Sequence, residues 1–357
     1  MWALIHTHPV QNWLLTRVTS TLSKNLHARI SIGDIDFSLF NKMKFNGVLV
    51  KDQKGDTLLY SGQVAVNITD WFFFKDKIEL KYIGLRDTYL HMYRQDSVWN
   101  YQFLADYFGS ADTAEKKTIQ LLIHDLDIAN LHLIRQDNWQ GEDIELNLGA
   151  FSLDAEQFDL THKIAVVHLL KITRPDFAIR NYAGKQLTQA PDKTVMVNDP
   201  GKLKWNAAGW NILVRRALIQ NGSFSDDKIA DKHISTVFDS HHMHFTDIQG
   251  DLKDFSFLKD SIKGKMRFST KEKSGFTVKE LAANVKIYPE GMEFHGFDLF
   301  TGKSRIRNFF AMRFKCFDDL SNFSDKVKME TDFSNATIDS DDIAFFASDL
   351  KAWKKNI

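Results

Sequence analysis

Hydrophobic positions along the chain follow two patterns. Near the amino end, in "HPVQNWLLTRVTSTLSKNL" (residues 8–26), Val10, Leu14, Leu15, Val18, Leu22 and Leu26 recur at helical spacing, while Asn12, Thr16, Ser20, Ser23 and Lys24 take the other side. Pro9 suits the first turn of such a helix, and the pattern stops at His27. From there apolar and polar residues alternate with a period of two. Ile30 and Ile32 lead to Ile35, Phe37 and Leu39, and the parity change at Gly33 predicts a bent strand. The alternation returns at Val64, Val66, Ile68; at Ile78, Leu80, Tyr82; at Ile119, Leu121, Ile123; at Ile144, Leu146, Leu148; and at Ile164, Val166, His168, Leu170, Ile172. Phe276 and Val278, Val285 and Ile287, and Met292 and Phe294 continue it. One apolar face repeated this often, without regular helices between, predicts a mainly β fold built on a long antiparallel sheet.

Two short segments read as helices. "VWNYQFLADYFG" puts Trp99, Phe103 and Tyr107 on one side with Gly109 at its end, and "DSDDIAFFASDLKAW" opens on an acidic first turn. Residues 109–117 and 184–202 have loop composition and mark internal breaks. "LHMYRQD" at 90–96 returns as "LHLIRQD" at 131–137, each followed by a tryptophan, Trp99 or Trp139, which predicts a repeated hairpin unit.

Composition narrows the function classes. Lysine plus arginine and aspartate plus glutamate both number 46 in the 357 residues, so the formal charge is zero and no nucleic-acid partner is expected. A lone cysteine, Cys316, excludes an internal disulfide framework; in "FAMRFKCF" it alternates with Met312 and Phe314 and reads as a small buried residue. With 29 Phe and 8 Trp against 5 Pro, the chain has much aromatic surface to bury in long strands. "GFDLFTGKS" (296–304) ends like a phosphate loop, but it has five residues between its glycines and no helix after it, so it reads as a turn. His242 and His244 would share one strand face near His241, Asp239 and Asp247, yet a third metal ligand is unspecified and no metal site is assigned. Asp339, Asp341 and Asp342 read as a helix cap. No catalytic motif or cofactor fingerprint appears, so the expectation is a protein that is not an enzyme and carries no cofactor.

The stretch from "PVQNWLLTRVTSTLSKNL" through "GDIDFSLFNKMKFNGVLVKDQKGDTLLYSGQVAVNITDWFFFKDKIELKYIGL" and "RQDSVWNYQFLADYF" resembles the amino-terminal part of TamB-type proteins of the AsmA-like superfamily, in their Bacteroidetes form. "SGFTVKELAANVKIYPEGMEFHGFDLFTGKSRIRN" and "ATIDSDDIAFFASDL" resemble later segments of that family. The resemblance implies a curved, taco-like β-groove anchored in the inner membrane and crossing the periplasm. Its apolar face would convey phospholipid towards the outer membrane, and it would be associated with outer-membrane protein assembly and secretion. In the family a carboxy-terminal domain meets an Omp85-type barrel; here the chain stops at "AWKKNI" and the anchor is reduced to "WALI", so an amino-terminal fragment is expected.

On this reading residues 1–26 form a membrane-proximal helix whose Val10, Leu14, Val18 and Leu22 plug one end of the groove, and residues 27–357 form the groove region. Val64, Val66, Ile68, Leu121, Ile123, Leu146 and Leu148 serve either as ordinary core or as lipid-groove lining. "DWFFF" (70–74) fits either membrane-interface contact or a strand buried on both faces. A rival from another class is an interaction module that binds a protein strand at an open sheet edge by β-augmentation.

Overall fold

The computed structural model describes residues 13, 15–17, 19–20, 23–24, 26, 28–38, 42–68, 80–109, 123–159, 162–185, 205–233, 238–334 and 336–346. The protein is mainly β, as the alternation predicts, and among the described residues fifteen strands form one mixed sheet that does not close on itself. They are β1 (Ile30–Ser31), β2 (Asp34–Ser38), β3 (Lys42–Lys51), β4 (Thr57–Ile68), β5 (Leu80–Arg94), β6 (Asp125–Asp137), β7 (Glu142–Asp159) and β8 (Ile164–Asn181), then β9 (Asn211–Lys228), β10 (His242–Leu258), β11 (Ser261–Glu272), β12 (Thr277–Tyr288), β13 (Gly291–Phe300), β14 (Arg305–Arg313) and β15 (Lys328–Phe333). Strand order follows chain order from β3 onward, and β1 and β2 both pair with β3. The chain divides into two compact units, Met1–Thr161 with Pro175–Thr188, and His162–Arg174 with Gln189–Ile357.

In the first unit the bend expected at Gly33 is present. β1 pairs with the far half of β3 and β2 with its near half, and Gly33 between them donates its N–H to the Asn46 carbonyl at 2.9 Å. β5 and β6 run parallel, a departure from the antiparallel sheet expected. Their connection carries the short helix Gln102–Gly109, and a crossover of that length is what lets neighbouring strands point the same way. The echoed segments are therefore side by side, Leu90 opposite Leu133 and Arg94 opposite Asp137, rather than in separate hairpins. Ile123 lies just before β6 and not within a strand; Leu121, "DWFFF" and most of both expected loop breaks lie outside the described residues. At the start of β8 the alternation misleads: Ala165 and Val167 are the buried residues, whereas Ile164 and Val166 are half-buried. "IAVV" is apolar on both faces, so a period of two could not say which face is covered.

Of the amino-terminal helix, Trp13, Leu15, Thr16, Arg17, Thr19, Ser20, Ser23, Lys24 and Leu26 are described and helical, whereas Val10, Leu14, Val18 and Leu22 lie outside the described residues. Leu15 and Leu26 belong to the same apolar side. Leu15 packs against the core cluster of Ile35, Met43 and Val66, which Ile32, Phe45 and Val64 flank, and Leu26 is buried. Among the described residues no helix is long and apolar enough to cross a membrane.

In the second unit the helix Ser340–Phe346 docks on the ends of the strands. The Asp339 carboxylate accepts the Asp341 N–H at 2.9 Å, as a cap should. Asp342 accepts a hydrogen bond from the Thr301 hydroxyl at 2.6 Å, and Phe345 stacks on Phe276 with ring centroids 4.8 Å apart. Thr301 to Ser304 form the turn between β13 and β14, where the Thr301 hydroxyl accepts the Ser304 N–H at 2.8 Å; "TGKS" is thus the turn the sequence predicts.

Trimming Leu15 to alanine should cost about 2 kcal/mol in urea unfolding, the usual loss for a partly covered core leucine. Hydrogen-exchange protection should fall in β2 to β4. Unchanged protection there would make the helix a linker and not part of the core.

Candidate functional site

Register gives the first unit one continuous apolar face. Ile35, Phe45, Val64, Leu85, Ile128 and Phe151 stand opposite one another in a row across β2 to β7, and Met43, Val66, Ile83, Leu126 and Leu153 form the next row. Beyond a lapse in the ladder lie two more rows, Val48, Ser61, Thr88, Leu131, Leu148 and then Val50, Leu59, Leu90, Leu133, Leu146. In each of β3 to β7 the face is kept by a step of three residues across the lapse, as from Phe45 to Val48 or from Ile128 to Leu131. An even step would be the rule in a regular strand. Residues in the lapse absorb the odd one: φ is 62° at Gly47, 51° at Asp87 and 56° at Asn130.

Ile35, Met43, Val66, Leu148 and Leu153 are buried, while Leu85, Leu90, Ile128, Leu131, Leu133, Leu146 and Phe151 keep part of their surface open. The opposite face is polar. There Asn46 donates to Asp34 at 2.7 Å and accepts from Gln63 at 3.1 Å, and Tyr89 meets His132 edge-on.

The second unit repeats the two-sided design. Ile212, Phe257, Ile262, Ile287, Met292, Met312 and Met329 form a row across β9 to β15, and Val285, Phe294 and Phe310 line up beside it. Charged pairs knit the other face: Arg216 grips Asp251 through two hydrogen bonds of 3.0 and 2.9 Å, and Arg305 grips Asp298 at 2.9 and 2.6 Å. Each arginine's hydrogen bonds hold its aspartate below the ordinary carboxylate range.

Of the residues singled out in the sequence, Val64 and Val66 belong to the first two rows, and Leu146 and Leu148 to the two beyond the lapse. Ile68 ends β4 opposite Leu80, with its side chain outside the described residues. Ile123 is buried next to the strands, its N–H donated to the Phe158 carbonyl at 3.3 Å. The sequence missed Leu85, Ile128, Leu131 and Leu133, because the parity changes at Asp87 and Asn130 interrupt their alternation.

Aromatic and ionic clusters finish the strand ends. In the first unit Asp137 is fully buried and takes hydrogen bonds from Arg94 at 2.7 Å through both oxygens and from the Gln140 N–H at 3.0 Å; Arg135 reaches it at 3.3 Å. Trp99 stacks against both guanidinium groups, 4.7 Å from Arg94 and 4.9 Å from Arg135. In the second unit Trp205 and Phe314 meet Phe317 edge-on. Glu293 accepts hydrogen bonds from Arg313 and Tyr288, and with Arg313 as the main cause its pKa falls to about 2.

The histidines do not converge. His242 is buried against Asp239 at 3.0 Å, His241 pairs with Asp231 at 2.9 Å, and the His244 N–H faces Glu272. No three metal-ligating side chains come together among the described residues. Cys316 is half-buried beyond the end of β14 and not in its alternation, because the chain turns after Phe314 and Asp319 accepts the N–H groups of Lys315 and Cys316. No protein-family model and no curated protein matches the chain.

Burial alone would raise the Asp137 pKa; the hydrogen bonds from Arg94 and Gln140 and the charges of Arg94 and Arg135 outweigh it and hold the group below the ordinary carboxylate value. Its stabilisation is therefore present above the unfolded carboxylate pKa and is lost as pH falls through the lowered value. Asp137→Asn should cost about 3 kcal/mol at neutral pH, since it removes the buried charge that pairs with the largely covered Arg94 guanidinium. The gap between wild type and variant in urea unfolding should narrow in acid, and a gap independent of pH would contradict the assignment.

Proposed function

We propose that the half-open apolar face binds lipid acyl chains, and that the protein is a non-enzymatic carrier of phospholipid in the cell envelope. The observation that carries this reading is the continuity of the rows. Aliphatic and aromatic side chains stand opposite one another across six strands in the first unit and seven in the second, with much of their surface uncovered among the described residues. Six strands spaced about 4.8 Å apart span roughly 24 Å, comparable to an extended acyl chain. Each methylene transferred from water to such a surface contributes about 0.8 kcal/mol.

The resemblance to TamB-type proteins supports the same reading and adds its setting: the periplasm, an inner-membrane attachment, and a role in outer-membrane biogenesis and protein secretion. In that family, contact with an Omp85-type barrel belongs to a carboxy-terminal domain. A second reading, strand capture by β-augmentation, is favoured by β15. That edge strand is mostly exposed, and it presents Met329 and Phe333 to solvent.

The two readings separate experimentally. Lipid extracted from the purified protein should be phospholipid, and Leu85→Asn, Ile128→Asn and Leu146→Asn together should reduce it several-fold while circular dichroism stays unchanged. Absence of lipid from wild type, or retention by the triple variant, would count against carriage. Photo-crosslinking from Met329 that captures an extended peptide, with no lipid found, would favour the edge instead.

A further inference from the structure

We propose that Gly33, Gly47, Gly62, Asp87, Asn130 and Gly149 form a built-in crease that sets the angle between the two halves of the first unit's apolar face, with Asp87 and Asn130 as its positioning residues. Its consequence for ligand capture rests on the lipid-binding reading above.

Each residue faces the next in register. Asn46 pairs with Gln63 and Val48 with Ser61, which leaves Gly47 opposite Gly62; Ser61 pairs with Thr88 and Gln63 with Arg86, which leaves Gly62 opposite Asp87. The same bracketing sets Asp87 opposite Asn130 and Asn130 opposite Gly149. No register slip accompanies any of these steps, so all the strands depart from regular geometry in one line. In the second unit, by contrast, irregularities at Asp247, Asp254 and Gly296 fall in different rows and shift the pairing.

The residue types fit the backbone. Glycine, aspartate and asparagine are those that enter the left-handed region most readily, and Gly47, Asp87 and Asn130 occupy it. Space is also short on the line: a Cβ on Gly33 would lie 3.1 Å from the Asn46 carbonyl oxygen, and one on Gly62 would lie 3.3 Å from the Asp87 Cβ.

Both sides of the line are tied. On the apolar side Ser61 and Thr88 are 0% and 4% exposed, their hydroxyls 2.9 Å apart, and the Ser61 hydroxyl faces the carbonyls of Gln63 at 3.0 Å and Arg86 at 3.2 Å. On the exposed side the Asn130 amide donates to the Asp87 carboxylate at 2.8 Å. Carbonyls next to a lapsed ladder thus find a donor, and a bend at that line keeps its hydrogen bonds.

The test uses the full chain with Cys316→Ser and spin labels on cysteines at Asp125, the first residue of β6, and Gln140, in the turn after it, so that the crease lies between them. The distance between labels is measured by electron resonance. Capture of pyrene-labelled phosphatidylcholine from dioleoylphosphatidylcholine vesicles is measured in parallel. Asn130→Gly, which keeps the left-handed conformation accessible, should leave the distance and capture as in wild type. Asn130→Val, which opposes it, should shift the distance and lower capture several-fold; should valine prevent folding, Asn130→Ala gives the same comparison in weaker form.

Valine and alanine variants that keep the wild-type distance would overturn the crease, and so would a glycine variant that shifts it as far as valine does. A shifted distance with unchanged capture would refute its link to lipid. Wild-type protein that captures no labelled lipid would sink the lipid reading, and the distances would still decide the crease.

Discussion

A β-strand sends successive side chains to opposite faces, so a sheet has one apolar face only where every strand keeps the same parity in the same row. That constraint governs the first unit. Were Asn130 to follow regular strand geometry while its neighbours did not, Leu131 and Leu133 would turn to the polar face and Leu126 and Ile128 would stay behind. Left-handed backbone costs an ordinary residue about 1–2 kcal/mol, less for asparagine or aspartate and little for glycine. Burying one leucine returns roughly 1.5–3 kcal/mol. Leu131 and Leu133 are only half-buried, yet two leucines kept on the correct face together offset the reduced cost of one left-handed asparagine, and Gly47 and Asp87 hold the same place in β3 and β5.

The polar face contributes differently. Its ion pairs, Lys265 with Asp254 and Lys271 with Asp247 among them, join exposed partners, and such pairs contribute little each. Both aspartates sit at irregularities of β10 with positive φ, so the lysines of β11 hold bulges in place more than they hold strands together. Asp137 stands apart. Buried and doubly hydrogen-bonded to Arg94, whose guanidinium stacks on Trp99, it joins the ends of β5 and β6, where parallel pairing brings the two echoed arginines onto one carboxylate.

Where alternation runs unbroken, the fold is legible in the chain. Val64 and Val66, Leu146 and Leu148, the bend at Gly33, the turn at Gly302 and Lys303, and the Asp339 cap each depend on a few neighbouring residues, and local chemistry suffices to place them. β5 and β6 resisted because Leu85, Thr88 and Leu90 change parity at Asp87, while Tyr89, His91 and Tyr93 put rings on the opposite side. The parallel pairing of those strands is a long-range fact that no local period encodes. Conversely, Ile123 continues an alternation in the sequence, yet it stands outside the strands and β6 begins at Asp125.

An apolar face left half-open among the described residues asks what kind of surface could lie against it. A second protein layer would bring its own backbone groups and need partners for any left unpaired. On this face the polar interruption, Ser61 with Thr88, is satisfied within the protein. The buried side-chain atom without a partner among the described residues, Ser261 Oγ, belongs to the first residue of β11 in the other unit. The rows thus offer contact area without asking for hydrogen bonds, and their floor is uneven, with aromatic and aliphatic side chains of different size and a hydroxyl pair midway. A flexible hydrocarbon chain meets both conditions, since it carries no polar group along its length and adapts to relief that a rigid sheet could not follow.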